Sequence, residues 1–170
     1  SAIGKIFGLG VSGYQGSLIE IEAVAFEPLN KGEGSLRFND TAGTMARASV
    51  FNAASVLRYE YNEIINNHDI HINILGGGKV DGPSAGAGIY LVILSAVQKR
   101  PIRQDVAITG EISIQGQVKP IGGIYEKIYA AQQAGIRKIL IPEKNCRDIP
   151  GGLHGIDIIP LANICEAYPH

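Results

Sequence analysis

Hydrophobic positions along this chain follow two different spacings, one typical of strands and one typical of helices. Residues 69–75, DIHINIL, alternate strictly and place isoleucine at every second position, as a strand with one buried face does. Residues 2–11 and 17–26 are rich in β-forming residues and flank a glycine-containing turn. They predict a hairpin, with a loop over residues 30–35 after it.

Helical spacing appears next, in two segments of different character. Residues 41–64 predict a long amphipathic helix that is capped by Thr41 and ends near Tyr61. Its apolar face holds Met45, Ala46, Val50, Ala53, Ala54 and Leu57. The second helix, from Ser84 to Val97, is apolar nearly all round, which indicates complete burial. Gly86 and Gly88 within it weaken helix propensity, so we expect another part of the backbone to approach closely there.

The remaining third of the chain predicts shorter elements. Residues 106–123 indicate a strand and then a hairpin that turns near Gln115 and Gly116, and a helix that starts near Ile124 and stops at Gly135 follows. Residues 138–142 and 156–160 predict short buried strands. Because strands and helices mix without regular alternation, the pattern favours an α+β domain, or an irregular α/β one, over a doubly wound sheet.

Composition narrows the classes of function. The chain has 170 residues, 45% of them hydrophobic, and a formal net charge of −1. That is enough apolar material for a single globular domain, although two small lobes would also fit. No block of basic charge predicts nucleic-acid binding, and no apolar run or leader predicts a membrane, so we expect a cytoplasmic protein. Cys146 and Cys165 are not in a CxxC pair, and we expect reduced thiols.

Two common kinds of site fail on spacing. The glycine-rich stretch GGGKVDG lacks the GxxxxGK[ST] spacing of a phosphate-binding loop. The four histidines form no HExxH motif, and His68 and His71, the closest pair, fall on opposite faces of a predicted strand. We therefore predict neither a nucleotide site nor a metal in this segment.

A serine at the mouth of the buried helix is the better candidate for chemistry. In DGPSAG, Pro83 fixes the chain direction, Gly82 and Gly86 clear space around Ser84, and the helix N-terminus offers free N–H groups to an oxyanion. A nucleophile would suit that position. The alternative is an ordinary helix start, with Asp81 as the cap and Ser84 in the first turn.

Lys127 favours the interpretation of Ser84 as a nucleophile over that of an ordinary helix start. Helical spacing puts it inside the apolar arc formed by Ile124, Ile128, Ala131 and Ala134. A long lysine can reach solvent from such an arc. If it stays desolvated, its pKa falls, and the neutral amine can take the proton of a serine hydroxyl without help from histidine or carboxylate.

Several long motifs match a known family at this point. DGPSAG, TGEISIQGQVKPIGGIYEK and AGIRKILIPEKN, in that order, resemble the proteolytic domain of Lon proteases. IGKIFGLG, TAGTMARASV and DIHINI extend the resemblance to roughly residues 3–165. It implies a Lon-type α+β domain of mixed sheets and packed helices, in which Ser84 is the nucleophile, Lys127 the general base, and Thr109 a hydrogen-bond partner of the lysine.

The resemblance also implies roles for the loop before the helix. Asp81 would be close enough to pair with protonated Lys127 and hold the site inactive until the loop moves. Backbone groups around Ser84, in Gly82, Pro83 and Ala85, would shape the loop and the oxyanion hole.

For the whole protein, the resemblance implies an ATP-dependent serine endopeptidase that degrades unfolded or damaged proteins as a homo-hexameric ring. Residues 1–170 would be its single proteolytic domain, without a cofactor of its own, and an AAA+ module holding ATP and Mg would precede it. Two departures leave the branch of the family open: GGGKV is shorter than the usual lead-in, and Asn73 stands where many members have histidine.

Two other classes of protein compete with this one. A non-catalytic Lon-like domain would use the same fold for assembly or DNA handling, but the intact serine, threonine and lysine argue against it. A plain interaction module would leave the buried lysine unexplained. For substrate binding, we expect an extended peptide to add as a strand to residues 69–75 or to the hairpin after Thr109.

Overall fold

The computed structural model describes residues 1–12, 15–38, 44–61, 66–75 and 83–168. The strands are β1 (Lys5–Ser12), β2 (Gln15–Phe26), β3 (Leu36–Phe38), β4 (Asp69–Leu75), β5 (Val106–Ile108), β6 (Glu111–Ile112), β7 (Val118–Lys119), β8 (Lys138–Pro142) and β9 (Asp157–Leu161). The helices are α1 (Thr44–Glu60), α2 (Gly86–Gln98) and α3 (Ile124–Gln133), and short 3-10 turns span Pro83–Ala85, Glu143–Asp148 and Ile164–Glu166.

Seven of these strands form one mixed sheet in the order β3-β4-β2-β1-β5-β8-β9. β2 runs antiparallel to both of its neighbours, and the other adjacent pairs are parallel. β6 and β7 make a separate antiparallel hairpin. Because the parallel and antiparallel parts share one sheet, the architecture is α+β, as the lack of regular alternation predicted.

Side chains of the central strands point alternately to two apolar cores. On β1, Ile6 belongs to the core that also contains residues of α1 and α2, while Leu9, on the opposite face, belongs to the core that contains residues of α3. On β8, Leu140 belongs to the first core, and Ile139 and Ile141 belong to the second. The sheet therefore separates α2, which follows Ser84, from α3, which carries Lys127.

The predicted elements of the first half are confirmed, with local differences. The hairpin of β1 and β2 is present, and β4 buries Ile70, Ile72 and Ile74, as the alternation predicted. β3 escaped prediction because three residues are too short for a pattern to show. On α1, Val56 is buried although it was not assigned to the apolar face, and Ala54 is half-buried. Thr41 and the side chains of Met45 and Ala46 lie outside the described residues.

Predictions for the second half hold for most elements. α2 is buried from Gly86 to Ala96, because it lies between the sheet and α1. It begins after the 3-10 turn that contains Ser84, two residues later than predicted. The hairpin turns at Gly116, whose φ is +86°, and Gly135 follows α3 with a φ of +81°.

Two predictions of burial are wrong, both at the margin of the fold. β9 was expected to be buried, but it is the last strand of the sheet, and of its residues only Leu161 is buried. Ala134 was placed on the apolar arc of α3, but the helix ends at Gln133 and Ala134 is exposed.

Candidate active site

Ser84 sits in the 3-10 turn Pro83–Ala85, which leads without a break into α2. Ser84 is half-buried, and Ala85 beside it is buried. The fixed φ of Pro83 suits a helix entry, but proline has no N–H, so Pro83 cannot donate to an oxyanion and contributes only to the shape of the turn. Asp81 and Gly82, which were predicted to take part, lie outside the described residues.

Gly110 joins the serine turn to the next part of the chain. Its N–H donates to the Ser84 carbonyl oxygen (3.0 Å), and its own carbonyl accepts from the N–H of Ala87 (3.2 Å). A side chain here would force a shift, because a Cβ on Gly110 would lie 2.7 Å from Val118 Cγ1. Gly110 thus fixes the backbone from the Ser84 carbonyl to the N–H of Ala87.

The start of α2 and the β6–β7 hairpin also approach each other closely at Gly86. A Cβ there would lie 2.7 Å from Ile112 Cγ2 and 3.2 Å from the Ile112 nitrogen. The prediction that another backbone approaches α2 at this glycine is therefore confirmed. At Gly88 the close neighbours are side chains and not backbone, since a Cβ there would lie 2.8 Å from Ile21 Cδ1 of β2.

Lys127 lies on the buried face of α3, with 4% of its surface exposed. It does not reach solvent, so the prediction of a buried lysine is confirmed over the alternative. Its Nζ donates to Thr109 Oγ1 at 3.3 Å. Burial lowers the pKa of Lys127 from 10.5 to about 8, because the charged form loses its hydration.

Thr109 follows β5 directly and is completely buried. Its N–H donates to the Leu140 carbonyl of β8 (3.1 Å), which holds the residue at the carboxyl end of the parallel strands. Thr109 binds Lys127 and its neighbour Gly110 binds Ser84, so the structure brings these three predicted residues together. A hydroxyl and an amine that is easily deprotonated are the groups that a serine–lysine nucleophile requires.

Neither segment predicted to receive an added strand is free over its whole length. β4 is paired with β2 on one side and, from Ile70 to Ile72, with β3 on the other. In the hairpin, Gly110 is bonded to the serine turn, and the Ile112 carbonyl accepts from Asn52 Nδ2 of α1 (3.1 Å). The chain's own segments satisfy these backbone groups, so an added peptide strand would have to pair with the other backbone groups of the two segments.

Other kinds of site find no support in the described parts of the chain. Among those residues, no group of three or more His, Cys, Asp and Glu side chains is arranged to hold a metal ion. Cys146 and Cys165 are both free and exposed. Across the same ranges, each helix is too short or too polar to cross a membrane.

Comparison with known proteins identifies the class first. Residues 1–164 match the family model described as Lon protease (S16) C-terminal proteolytic domain. The fold is thus that of a peptidase domain, and the chain belongs to the Lon proteolytic domain family.

Named relatives agree with this assignment. Lon protease 2 of Bacillus subtilis is 41% identical over 177 residues, covering 96% of this chain and 32% of that protein. The archaeal Lon protease of Pyrococcus abyssi is 37% identical, covering 96% of the chain and 17% of that protein. The Lon protease of Rickettsia bellii is 35% identical, covering 99% and 23%. The chain therefore spans a third or less of the length of these relatives.

Proposed function

We propose that this domain hydrolyses peptide bonds with Ser84 as the nucleophile and Lys127 as the general base. One observation carries the proposal: Lys127 is 4% exposed, has its pKa lowered to about 8, and is hydrogen-bonded to Thr109. The next residue, Gly110, donates a hydrogen bond to the Ser84 carbonyl. A buried lysine is costly, and general-base catalysis gives it a use that packing does not.

The chemistry needs one proton carrier. Ser84 Oγ attacks the scissile carbonyl carbon while its proton passes to neutral Lys127 Nζ. When the C–N bond breaks, Lys127 returns that proton to the leaving amine, and the acyl group remains on Ser84. Water then attacks the acyl carbon and gives a proton to Lys127, and the proton goes back to Ser84 Oγ as the carboxylic acid product leaves.

Thr109 would orient the amine during these steps. By accepting a hydrogen bond from Nζ, it leaves the nitrogen lone pair to point elsewhere, and we propose that it points toward Ser84. Backbone N–H groups of the turn around Ser84, including that of Ala85, would stabilise the oxyanion. Asp81 would pair with protonated Lys127 in a resting state; an Asp81→Asn variant with an unchanged pH–rate profile would rule this out.

The role of the whole protein rests on its relatives. They are Lon proteases several times longer than this chain, so we propose an ATP-dependent protease with an AAA+ module, binding ATP and Mg, on the N-terminal side. Its substrates would be unfolded or damaged cytoplasmic proteins. A homo-hexameric ring enclosing the active sites would protect folded proteins from an unselective peptidase.

The first test is the pH dependence of cleavage of a fluorogenic peptide and of casein by the full-length protein. Below a pKa of about 8, protonated Lys127 cannot accept a proton, so the rate should fall about tenfold per pH unit and level off above that pKa. Ser84→Ala and Lys127→Ala should each abolish cleavage.

Matched controls are Ser17→Ala and Lys144→Ala, which remove an exposed serine and an exposed lysine elsewhere on the domain. Both should keep the wild-type profile. Wild-type rates in folded Ser84→Ala or Lys127→Ala protein would disprove the proposed pair.

A further inference from the structure

Asn145 is a buried polar residue that the proposed mechanism does not use. It lies in the 3-10 turn Glu143–Asp148, which directly follows β8, and only 3% of its surface is exposed. A buried amide is stable only when its donors and acceptor are paired. Its partners therefore show what this residue holds in place.

Both polar groups of one backbone residue, Ile121, are bonded to the Asn145 side chain. The Ile121 N–H donates to Asn145 Oδ1 (2.9 Å), and Asn145 Nδ2 donates to the Ile121 carbonyl (2.9 Å). The second proton of Nδ2 goes to Asp148 Oδ2 (3.1 Å). Because a carboxylate only accepts, the bond to Asp148 identifies the amide nitrogen, and Oδ1 is then the atom that accepts from the Ile121 N–H. The side chain thus holds Ile121 as a neighbouring strand would.

Ile121 stands at the entry to the helix that carries Lys127. Two residues later, Gly123 has a φ of +70° and turns the chain into α3. The carbonyl of Gly123 accepts from the N–H of Lys127 itself (3.0 Å). Only this short turn separates the residue held by Asn145 from the backbone of Lys127.

The first turn of α3 is also fixed from the opposite side by the β1–β2 hairpin. A Cβ on Gly123 would lie 2.6 Å from Val11 Cγ2, and a Cβ on Gly16 would lie 2.2 Å from the Glu126 carbonyl oxygen. The helix start is in van der Waals contact with the hairpin and hydrogen-bonded, through Ile121, to Asn145. Its position has little freedom while both contacts last.

We infer that Asn145 is a positioning residue for Lys127, holding the start of α3 so that Nζ stays at Thr109 and beside the serine turn. This inference rests on the proposed role of Lys127. Catalysis depends on the placement of the amine in the transition state, whereas the substrate binds to other groups. Loss of the Asn145 contacts should therefore lower kcat and leave KM nearly unchanged.

The test is Asn145→Asp in the full-length protein, assayed with the fluorogenic peptide. Aspartate keeps the shape and the Oδ1 acceptor but sets a carboxylate oxygen against the Ile121 carbonyl and Asp148. We expect kcat to fall about 100-fold, as for a displacement of about 1 Å at a reacting group, with KM within about twofold.

A matched control is Ser95→Ala. Ser95 is also fully buried and also joins two separate backbone segments, accepting from the Gly4 N–H and donating to the Arg100 carbonyl, but it lies toward the other end of α2. It should lower stability without changing kcat per folded molecule. Asp148→Ala is a second probe: Asp148 is exposed, so this variant should fold, and kcat should fall about fivefold, equivalent to one lost hydrogen bond.

The outcomes test the positioning role of Asn145 separately from the proposed function of Lys127. If Asn145→Asp loses activity only in proportion to its unfolded fraction, as Ser95→Ala does, Asn145 is merely structural and the inference fails. If Asn145→Asp does not fold, wild-type kcat in Asp148→Ala overturns the inference instead. If Lys127→Ala stays active, the proposed function fails, whatever the result at Asn145.

Discussion

At the scale of single residues, burial of Lys127 lowers the stability of the fold, while the proposed chemistry depends on that burial. Burial removes the hydration of its charged form, and among the described residues the Thr109 hydroxyl accepts a hydrogen bond from it. A pKa of about 8 in the folded state against 10.5 in the free side chain corresponds to a cost of about 3 kcal/mol at neutral pH. A fold without a chemical need for the amine would gain by placing an apolar side chain there.

We therefore predict that Lys127→Met stabilises this domain at neutral pH while abolishing peptidase activity. Below pH 8 both the folded and unfolded wild-type states bind the proton, and the full penalty of burying it applies. Between pH 8 and 10.5 the folded state has released that proton, so wild-type stability rises toward that of the variant. Urea unfolding should show a gap of up to about 3 kcal/mol at pH 7 that narrows as the pH rises.

Lys144→Met, at an exposed lysine, is the control for this measurement and should show no such pH dependence. A gap between Lys127→Met and wild type that stays constant from pH 7 to 10.5 would contradict the assignment of a desolvated amine.

At the scale of elements, α2 depends on glycine at the place where it meets the β6–β7 hairpin. Gly86 lets the helix start touch Ile112, and Gly110 lets the hairpin reach the carbonyl of Ser84. In an isolated helix, alanine would be better than glycine by about 1 kcal/mol. Tertiary contact reverses that preference here.

Gly86→Ala should therefore destabilise the domain by about 1–3 kcal/mol, because the new methyl group meets a buried side chain and a backbone nitrogen. Gly151→Ala is the matched control, since a methyl group on Gly151 would meet no atom within 4 Å and the φ of this residue is ordinary. That change should stay within about 0.5 kcal/mol. Equal midpoints of urea unfolding for the two variants would show that the close approach does not constrain the fold.

At the scale of the whole molecule, the two cores depend on the same strands. Neighbouring residues of β5 and β8 point to opposite cores, so neither core can be lost while the strands stay in place. The site depends on this arrangement, because Ser84 precedes a helix packed on one face of the sheet and Lys127 lies on a helix packed on the other.

We predict a single unfolding transition for residues 1–170, seen alike by far-UV circular dichroism and by fluorescence of the seven tyrosines, since the chain has no tryptophan. Ile93→Val in the first core and Ile128→Val in the second should each shift that transition by about 0.5–1.5 kcal/mol. Two separated transitions, each moved by only one of the variants, would mean that the cores unfold independently.

Comparison of sequence and structure shows where pattern reasoning succeeds. The strict alternation of residues 69–75 was enough to predict a half-buried strand, because the pattern repeats at three buried positions. The uniform apolarity of α2 was enough to predict a buried helix, because it extends over more than two helical turns. Misassignments fell on β3, β9 and Ala134. The first is too short to show a period, and burial at the other two depends on which neighbour the sheet or helix has at its end.

In the candidate site, too, some residues could be identified from the sequence and others could not. Lys127 was identifiable because a charged residue interrupts an apolar arc, and Ser84 because glycine and proline surround it. Asn145 gave no such signal: it lies in the IPEKN segment that carried the family resemblance, but its partner Ile121 is 24 positions away. Gly110 is likewise one glycine among 22 in the sequence, and only the structure shows its hydrogen bonds to Ser84 and Ala87.

The sequence by itself determined the elements, the class of fold, the family and the two residues most suited to the chemistry, because these depend on local spacing and residue type. Tertiary structure decided that Lys127 is desolvated and that Gly110 and Asn145 hold the serine turn and the lysine helix in place, and it confirmed Thr109 as the partner of Lys127 that the family resemblance implied. Those properties arise from contacts between segments far apart in the chain, and local patterns do not encode the distance between such segments.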